Sequence, residues 1–143
     1  AASQYLPMEG TVLLTVSRRE RPAVLEVARL FSSLGFKLKT TRGTQKFLLE
    51  NGVESDMVLK LHEGRPNIVD DIKNHAYDLI INTPSGKLSK HDDSYIRKAA
   101  IRYKVPYITT LAAAMAAGTG VEANRGGRGM VKPLQEYHKD IGN

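Results

Sequence analysis

Apolar and polar positions along this chain keep switching between two rhythms. Residues 11–16, Thr-Val-Leu-Leu-Thr-Val, are nearly continuous in aliphatic and β-branched character, which predicts a strand buried on both faces, as in a parallel sheet. After the polar run 17–21, Val24, Val27, Ala28, Phe31 and Leu34 recur at steps of three and four and so line one face of a helix. Pro22 suits the first turn of that helix and Gly35 its end. The same alternation then repeats. Residues 36–39 predict a second strand, 45–51 a second helix ended by Gly52, and 57–61 a third strand. Asn67 caps a short helix running to about residue 74, and residues 78–82 predict a fourth strand. Asp92 or Asp93 caps a helix carrying Ile96, Ala100 and Tyr103, and residues 105–108 predict a fifth strand. Thr109 or Thr110 caps an apolar helix over 111–117. The glycine-rich residues 118–129 read as loop, 130–134 as an edge strand interrupted by Pro133, and 135–140 as a turn of helix. Residues 1–10, with Pro7 and Gly10 as breakers, read as a linker or tag ahead of one domain over 11–143.

Strands alternating with helices imply an α/β fold: three layers, a five-stranded and mainly parallel sheet, helices on both faces and right-handed crossovers. Such sheets bind ligands at the carboxyl ends of their strands, which gathers the loops at 17–21, 40–44, 60–66, 82–86 and 109–110 on one rim. Those loops supply Arg18, Arg19, Arg21, Arg42, Lys60 and Arg65 as cations. Thr41, Thr44, Asn82, Thr83, Ser85, Thr109 and Thr110 add uncharged hydrogen-bonding groups. A phosphate attached to a hydroxylated body such as a ribose suits that mixture. The turn at 40–44, Thr-Thr-Arg-Gly-Thr, is its most informative part, because a strand there empties into a helix start. The first helical N–H groups are unpaired, the helix dipole adds partial positive charge, and threonine hydroxyls donate to phosphate oxygens. Gly43 lets the backbone come close to a ligand. A threonine at such a junction also serves as an ordinary N-cap.

Composition narrows the partners. The 143 residues are one domain's worth and carry a net charge of +6 with a pI near 9.6, which favours anionic ligands. With three Phe, six Tyr and no Trp there is little material for stacking bases, so nucleic acid is not expected. The absence of cysteine removes disulfides, thiolate metal sites and a Cys nucleophile, and fits a reducing, cytoplasmic setting. No apolar run approaches the ~20 residues that span a bilayer, and no signal-peptide pattern is visible. The start, Ala-Ala-Ser-Gln without Met, points to a piece of a longer protein. Chemistry-bearing sets are thin. His91 with Asp92 or Asp93, or His62 with Glu63, could form an acid–base pair, and His75 and His138 read as exposed. The same adjacency describes solvated helix caps. There is no HExxH, Walker A or GxGxxG pattern, so no catalytic residue, metal site or cofactor is assigned to this domain.

One family shares these residues. Leu13-Leu14-Thr15-Val16, Gly35-Phe36, Thr41-Arg42-Gly43-Thr44, His62-Glu63-Gly64-Arg65-Pro66, Ile80-Ile81-Asn82-Thr83, Ser85-Gly86, Ile96-Arg97 and Tyr103-Lys104-Val105 closely resemble one domain. It is the carboxy-terminal, methylglyoxal-synthase-like domain of the bacterial carbamoyl-phosphate synthase large subunit, and the likeness runs from about Gly10 to Tyr137. The resemblance implies an allosteric unit that binds UMP and IMP in one overlapping site, with ornithine at the boundary to the neighbouring synthetase domain. It implies a phosphate cradle at Thr41, Gly43 and Thr44, a supporting cation at Lys60, and a nucleotide contact at Asn82. A family lysine in the first loop stands here as Arg21, and a family threonine two residues past the Asn stands as Pro84. Thr109 matches a position associated with ornithine. Implied partners are the rest of the large subunit and the glutaminase small subunit, with self-association left open; the parent would use ATP and Mg. Methylglyoxal synthase, the enzyme of the superfamily, carries a catalytic Asp after the fourth strand where this chain has Thr83. A threonine cannot take a carbon-bound proton near neutral pH, so binding without turnover is the expectation. A lyase acting on dihydroxyacetone phosphate is the alternative.

Overall fold

The central strand β1 (Thr11–Thr15) holds Val12, Leu13 and Leu14 at 0% exposure, because both of its faces are covered. The computed structural model describes residue 7, residues 9–83 and residues 90–130. Around β1 lie β2 (Lys37–Thr40), β3 (Asp56–Met57), β4 (Leu79–Asn82) and β5 (Tyr107–Ile108). The sheet order is β3-β2-β1-β4-β5, and every neighbouring pair is parallel. The helices are α1 (Arg21–Ser33), α2 (Arg42–Glu50), α3 (Ile68–Lys73), α4 (Lys90–Arg102) and α5 (Leu111–Met130).

Strand alternation sorts the core into two layers. Val12 and Leu14 of β1, with Leu79 and Ile81 of β4, pack with Val24, Val27 and Phe31 of α1, Leu48 of α2 and Ala117 of α5. Leu13 and Ile80 point the other way, into Ile68 and Ile72 of α3 and Ile96 and Ala100 of α4. This is the α/β fold with a five-stranded parallel sheet and helices on both faces. Local signals hold where expected: Gly35 (φ +93°) follows α1, and the N–H of Phe36 donates back to Phe31 O at 3.1 Å. Asn67 caps α3 in a reciprocal box, accepting from Val69 N at 3.0 Å while Asp70 accepts from Asn67 N at 2.9 Å.

Four boundaries differ from the sequence reading. The second helix begins at Arg42, not at residue 45, so Gly43 and Thr44 lie inside its first turn. The third strand shrinks from 57–61 to Asp56–Met57, because Val58 N already donates to Thr40 O, where β2 ends. The fourth helix already includes Lys90, so Asp92 and Asp93 lie inside it rather than at its cap. The fifth strand is Tyr107–Ile108 alone. The largest difference is at 118–129, expected as loop and found within α5. Ala114, Ala117, Gly118 and Val121 are buried at helical spacing against α1, and tertiary packing overrides the poor propensity of glycine. The linker reading of 1–10 falls mostly outside the described residues, as do Pro84, Ser85, Gly86, residues 131–134 of the proposed last strand, and 135–140.

Two glycines of α5 make opposite expectations. A Cβ at Gly118 would stand 2.5 Å from Leu30 Cδ2 and 3.2 Å from Phe31 Cε2, whereas one at Gly120 would meet nothing within 4 Å. Gly118→Val is expected to cost about 1–3 kcal/mol through overpacking. Gly120→Ala should gain up to about 1 kcal/mol through helix propensity. Urea midpoints that move the same way for both would show that α5 does not sit against α1 as described.

Candidate functional site

Strand order reverses at β1, since the chain winds outward through β2 and β3 and then returns to build β4 and β5 on the other side. The carboxyl ends of β1 and β4 therefore border a crevice of the kind that accepts ligands in open α/β sheets. Thr15 closes β1, Thr40 closes β2 and Asn82 closes β4, and all three are buried.

The first turn of α2 forms one wall. Thr41 is its N-cap by backbone (φ −75°, ψ 165°), yet its side chain makes no capping hydrogen bond. The ordinary-cap reading of this threonine therefore does not describe its hydroxyl. Thr44 is 0% exposed, and its Oγ1 has no hydrogen-bond partner among the described residues. Gly43 lies between them. A Cβ there would overlap Nη2 of Arg21 and stand 2.9 Å from its Cζ, so the guanidinium of Arg21 rests directly on the start of α2. Arg21 is the first residue of α1, and its buried Nε is likewise without a partner among the described residues. The neighbouring Glu20 Oε1 is buried and unpaired as well.

A different arrangement holds the β4 end. Asn82 Oδ1 accepts from the Thr15 hydroxyl at 2.5 Å, while its Nδ2 donates to Tyr107 Oη at 2.8 Å and to Asp93 Oδ1 at 3.3 Å. Both amide hydrogens are thus engaged within the protein, and Asn82 ties β1, β4, β5 and α4 together. Thr83 is 2% exposed, its N–H donates to Thr15 O at 3.0 Å, and its Oγ1 has no partner among the described residues. Tyr107 and Asp93 are site residues that the sequence reading missed. Tyr107 read as part of a strand and Asp93 as a cap or half of a pair with His91, whose side chain lies outside those described. The pairing of β4 with β5 brings Tyr107 to Asn82, and the packing of α4 brings Asp93.

Lys60 lies on the same rim, two residues past Val58, with an exposed side chain and its N–H donating to Glu63 Oε1 at 2.8 Å. The His62–Pro66 loop is thus organised around its own backbone. Arg65 forks onto Asp70 at 3.1 and 2.7 Å and holds that carboxyl below its usual range. Thr109 is exposed and follows β5, three inter-strand steps from β2, so it is not brought to the head of α2. Thr110, rather than Thr109, caps α5 by accepting from Ala113 N at 3.1 Å. No group of three or more His, Cys, Asp or Glu side chains suited to a metal occurs among the described residues. No helix among them is long and apolar enough to cross a membrane.

Burial raises the phenols of Tyr77 and Tyr107 above their ordinary value. A raised acid contributes stability that is complete below its unfolded pKa of about 10 and is lost as pH rises through the folded value. Stability is therefore expected to fall above about pH 10, and Tyr77→Phe to soften that fall; an unchanged slope in urea titrations at pH 9–11 would refute it.

Fold and crevice together define a class. Residues 23–109 match the family described as the MGS-like domain, and the chain belongs to that family. Its curated relatives are named carbamoyl phosphate synthase large chain. The chain is 48% identical over 141 residues to the one from Archaeoglobus fulgidus, which spans 98% of this chain and 13% of that one. Against the Nostoc protein it is 46% identical over 136 residues, covering 95% and 12%. Against the large chain's C-terminal section from Methanopyrus kandleri it is 46% identical over 140 residues, covering 97% and 26%. The chain thus matches only a small fraction of each relative's length. Among solved structures, a methylglyoxal synthase from Elizabethkingia anophelis superimposes with a TM-score of 0.63 over 79% of each chain at 20% identity, a likeness of fold.

Proposed function

We propose that this chain is the effector-binding regulatory domain of a carbamoyl phosphate synthase large chain, and that it holds a UMP- or IMP-type nucleotide by its phosphate. The observation that carries the reading is Arg21 resting on the start of α2. A guanidinium and the positive end of a helix repel each other unless an anion lies against both. The Thr44 hydroxyl, without a partner among the described residues, and the Thr41 hydroxyl, which makes no capping bond, offer donors at the same turn. Lys60 supplies a further cation from the adjoining rim. β2 and β4 flank β1, so their ends lie roughly 10 Å apart, which suits a phosphate at one and a nucleoside body at the other. Asn82, with its amide committed to Tyr107 and Asp93, shapes the β4 side beside Thr83. Thr109, away from the cradle, faces whatever adjoins the β5 rim; an ornithine-type ligand or a neighbouring domain of the same large chain is proposed there.

Such a domain acts by binding two states of the whole enzyme unequally, with a coupling of about 1–3 kcal/mol as the usual scale. The glutaminase small subunit, self-association, and the parent's use of ATP and Mg belong to the same proposal. Calorimetric titration with UMP, IMP, ornithine and dihydroxyacetone phosphate tests it. A nucleotide at about 100 times its dissociation constant should stabilise the fold by about 2.7 kcal/mol. Silence from both nucleotides would sink the effector reading. Methylglyoxal released from dihydroxyacetone phosphate would favour the lyase, with Asp93 as the carboxylate brought to the crevice.

A further inference from the structure

Gly43 occupies the second position of α2, where an alanine would make the better helix. Its backbone has no positive φ, so no turn geometry demands glycine. What a side chain would meet there is Arg21. The ideal Cβ overlaps Nη2, stands 2.9 Å from Cζ and 3.4 Å from Nη1. We infer that Gly43 is a seat for the Arg21 guanidinium: its missing side chain, rather than close approach of a ligand to its backbone, is what the site uses. The inference rests on the phosphate reading above and assigns the glycine a positioning role within it.

Three physical points support the seat. Arg21 enters from α1 and Gly43 from α2, two elements that meet only through the fold, so the notch holds the long side chain in one direction. Holding it matters, because a free arginine loses rotamer entropy when it is fixed on a ligand, and a preformed seat lowers that loss. The guanidinium also presents a planar fork of donors, which suits the oxygens of a phosphate that the N–H groups of α2 share. Displacing it is cheap for the fold, since the atoms in the way are the far end of a flexible side chain. Gly43→Ala should therefore fold normally and bind poorly.

The test is a double-mutant cycle read with inorganic phosphate as the probe, at constant ionic strength, on the wild type, Gly43→Ala, Arg21→Ala and the double variant. Gly43→Ala is expected to have a melting temperature no lower than wild type and an affinity roughly tenfold weaker, about the effect of losing one charge-assisted contact. In the Arg21→Ala background the same change should have no further effect, because there is no guanidinium left to unseat. A wild type that binds phosphate while Gly43→Ala weakens it equally in both backgrounds overturns the seat alone, and assigns the glycine to ligand approach. Unchanged affinity in Gly43→Ala also overturns it. A wild type silent to phosphate overturns the anion site itself, and the seat with it.

Discussion

Replacing Thr44 with valine is expected to stabilise the free chain and, at the same time, to weaken its hold on phosphate roughly tenfold to a hundredfold. The side chain is 0% exposed, and its hydroxyl has no partner among the described residues. A buried hydroxyl left unpaired costs about 1–3 kcal/mol, and valine keeps the shape while removing the oxygen. A hydrogen bond to a charged group contributes about 1.5–3 kcal/mol, which sets the predicted loss of affinity at about 1.4 kcal/mol per decade. Opposite signs are the diagnostic result. A buried polar group without a partner among the described residues is stability given up for a ligand. Urea unfolding and phosphate titration of the same two proteins read both quantities. A valine variant that is no more stable and binds equally well would make Thr44 an ordinary helix residue.

Phe31→Ala should be the most damaging core substitution, at about 3–5 kcal/mol. Phe31 is 0% exposed, stands edge-to-face with Phe36 at 5.3 Å between ring centroids, and borders Gly118 of α5. Its removal empties the meeting point of α1, α5 and the sheet. Against a total stability of ordinarily about 5–15 kcal/mol, that is a large share. Leu49→Ala is the control: at 60% exposure its removal should change stability by no more than about 0.5 kcal/mol. Comparable urea midpoints for the two variants would contradict the packing of this layer.

The two central strands were legible because burial on both faces leaves a continuous apolar run, as at Val12–Leu14 and Leu79–Ile81. The α1 stripe and the Asn67 cap were legible for the same reason: each depends on residues three or four apart in sequence. The continuation of α5 beyond residue 117 was not. Its glycines argue against helix by propensity, and the burial of Gly118 and Val121 against α1 is visible only in the packed fold. The length of β3 was hidden as well, since it depends on where β2 stops.

By itself, the sequence determined the α/β alternation, the loops that follow the strands, and the hydroxyl-rich turn at the head of α2. Those are local properties, carried by periodicity, caps and residue type. Tertiary structure alone decided that Arg21 lies across Gly43, that Asn82 is committed to Thr15, Tyr107 and Asp93, and that Thr109 stands apart from the head of α2. Each of these joins residues from different strands and helices. Strand order, which no short-range pattern encodes, sets their distances. The Arg21 guanidinium fills the space beside Gly43, and only the packed fold shows which atoms fill it.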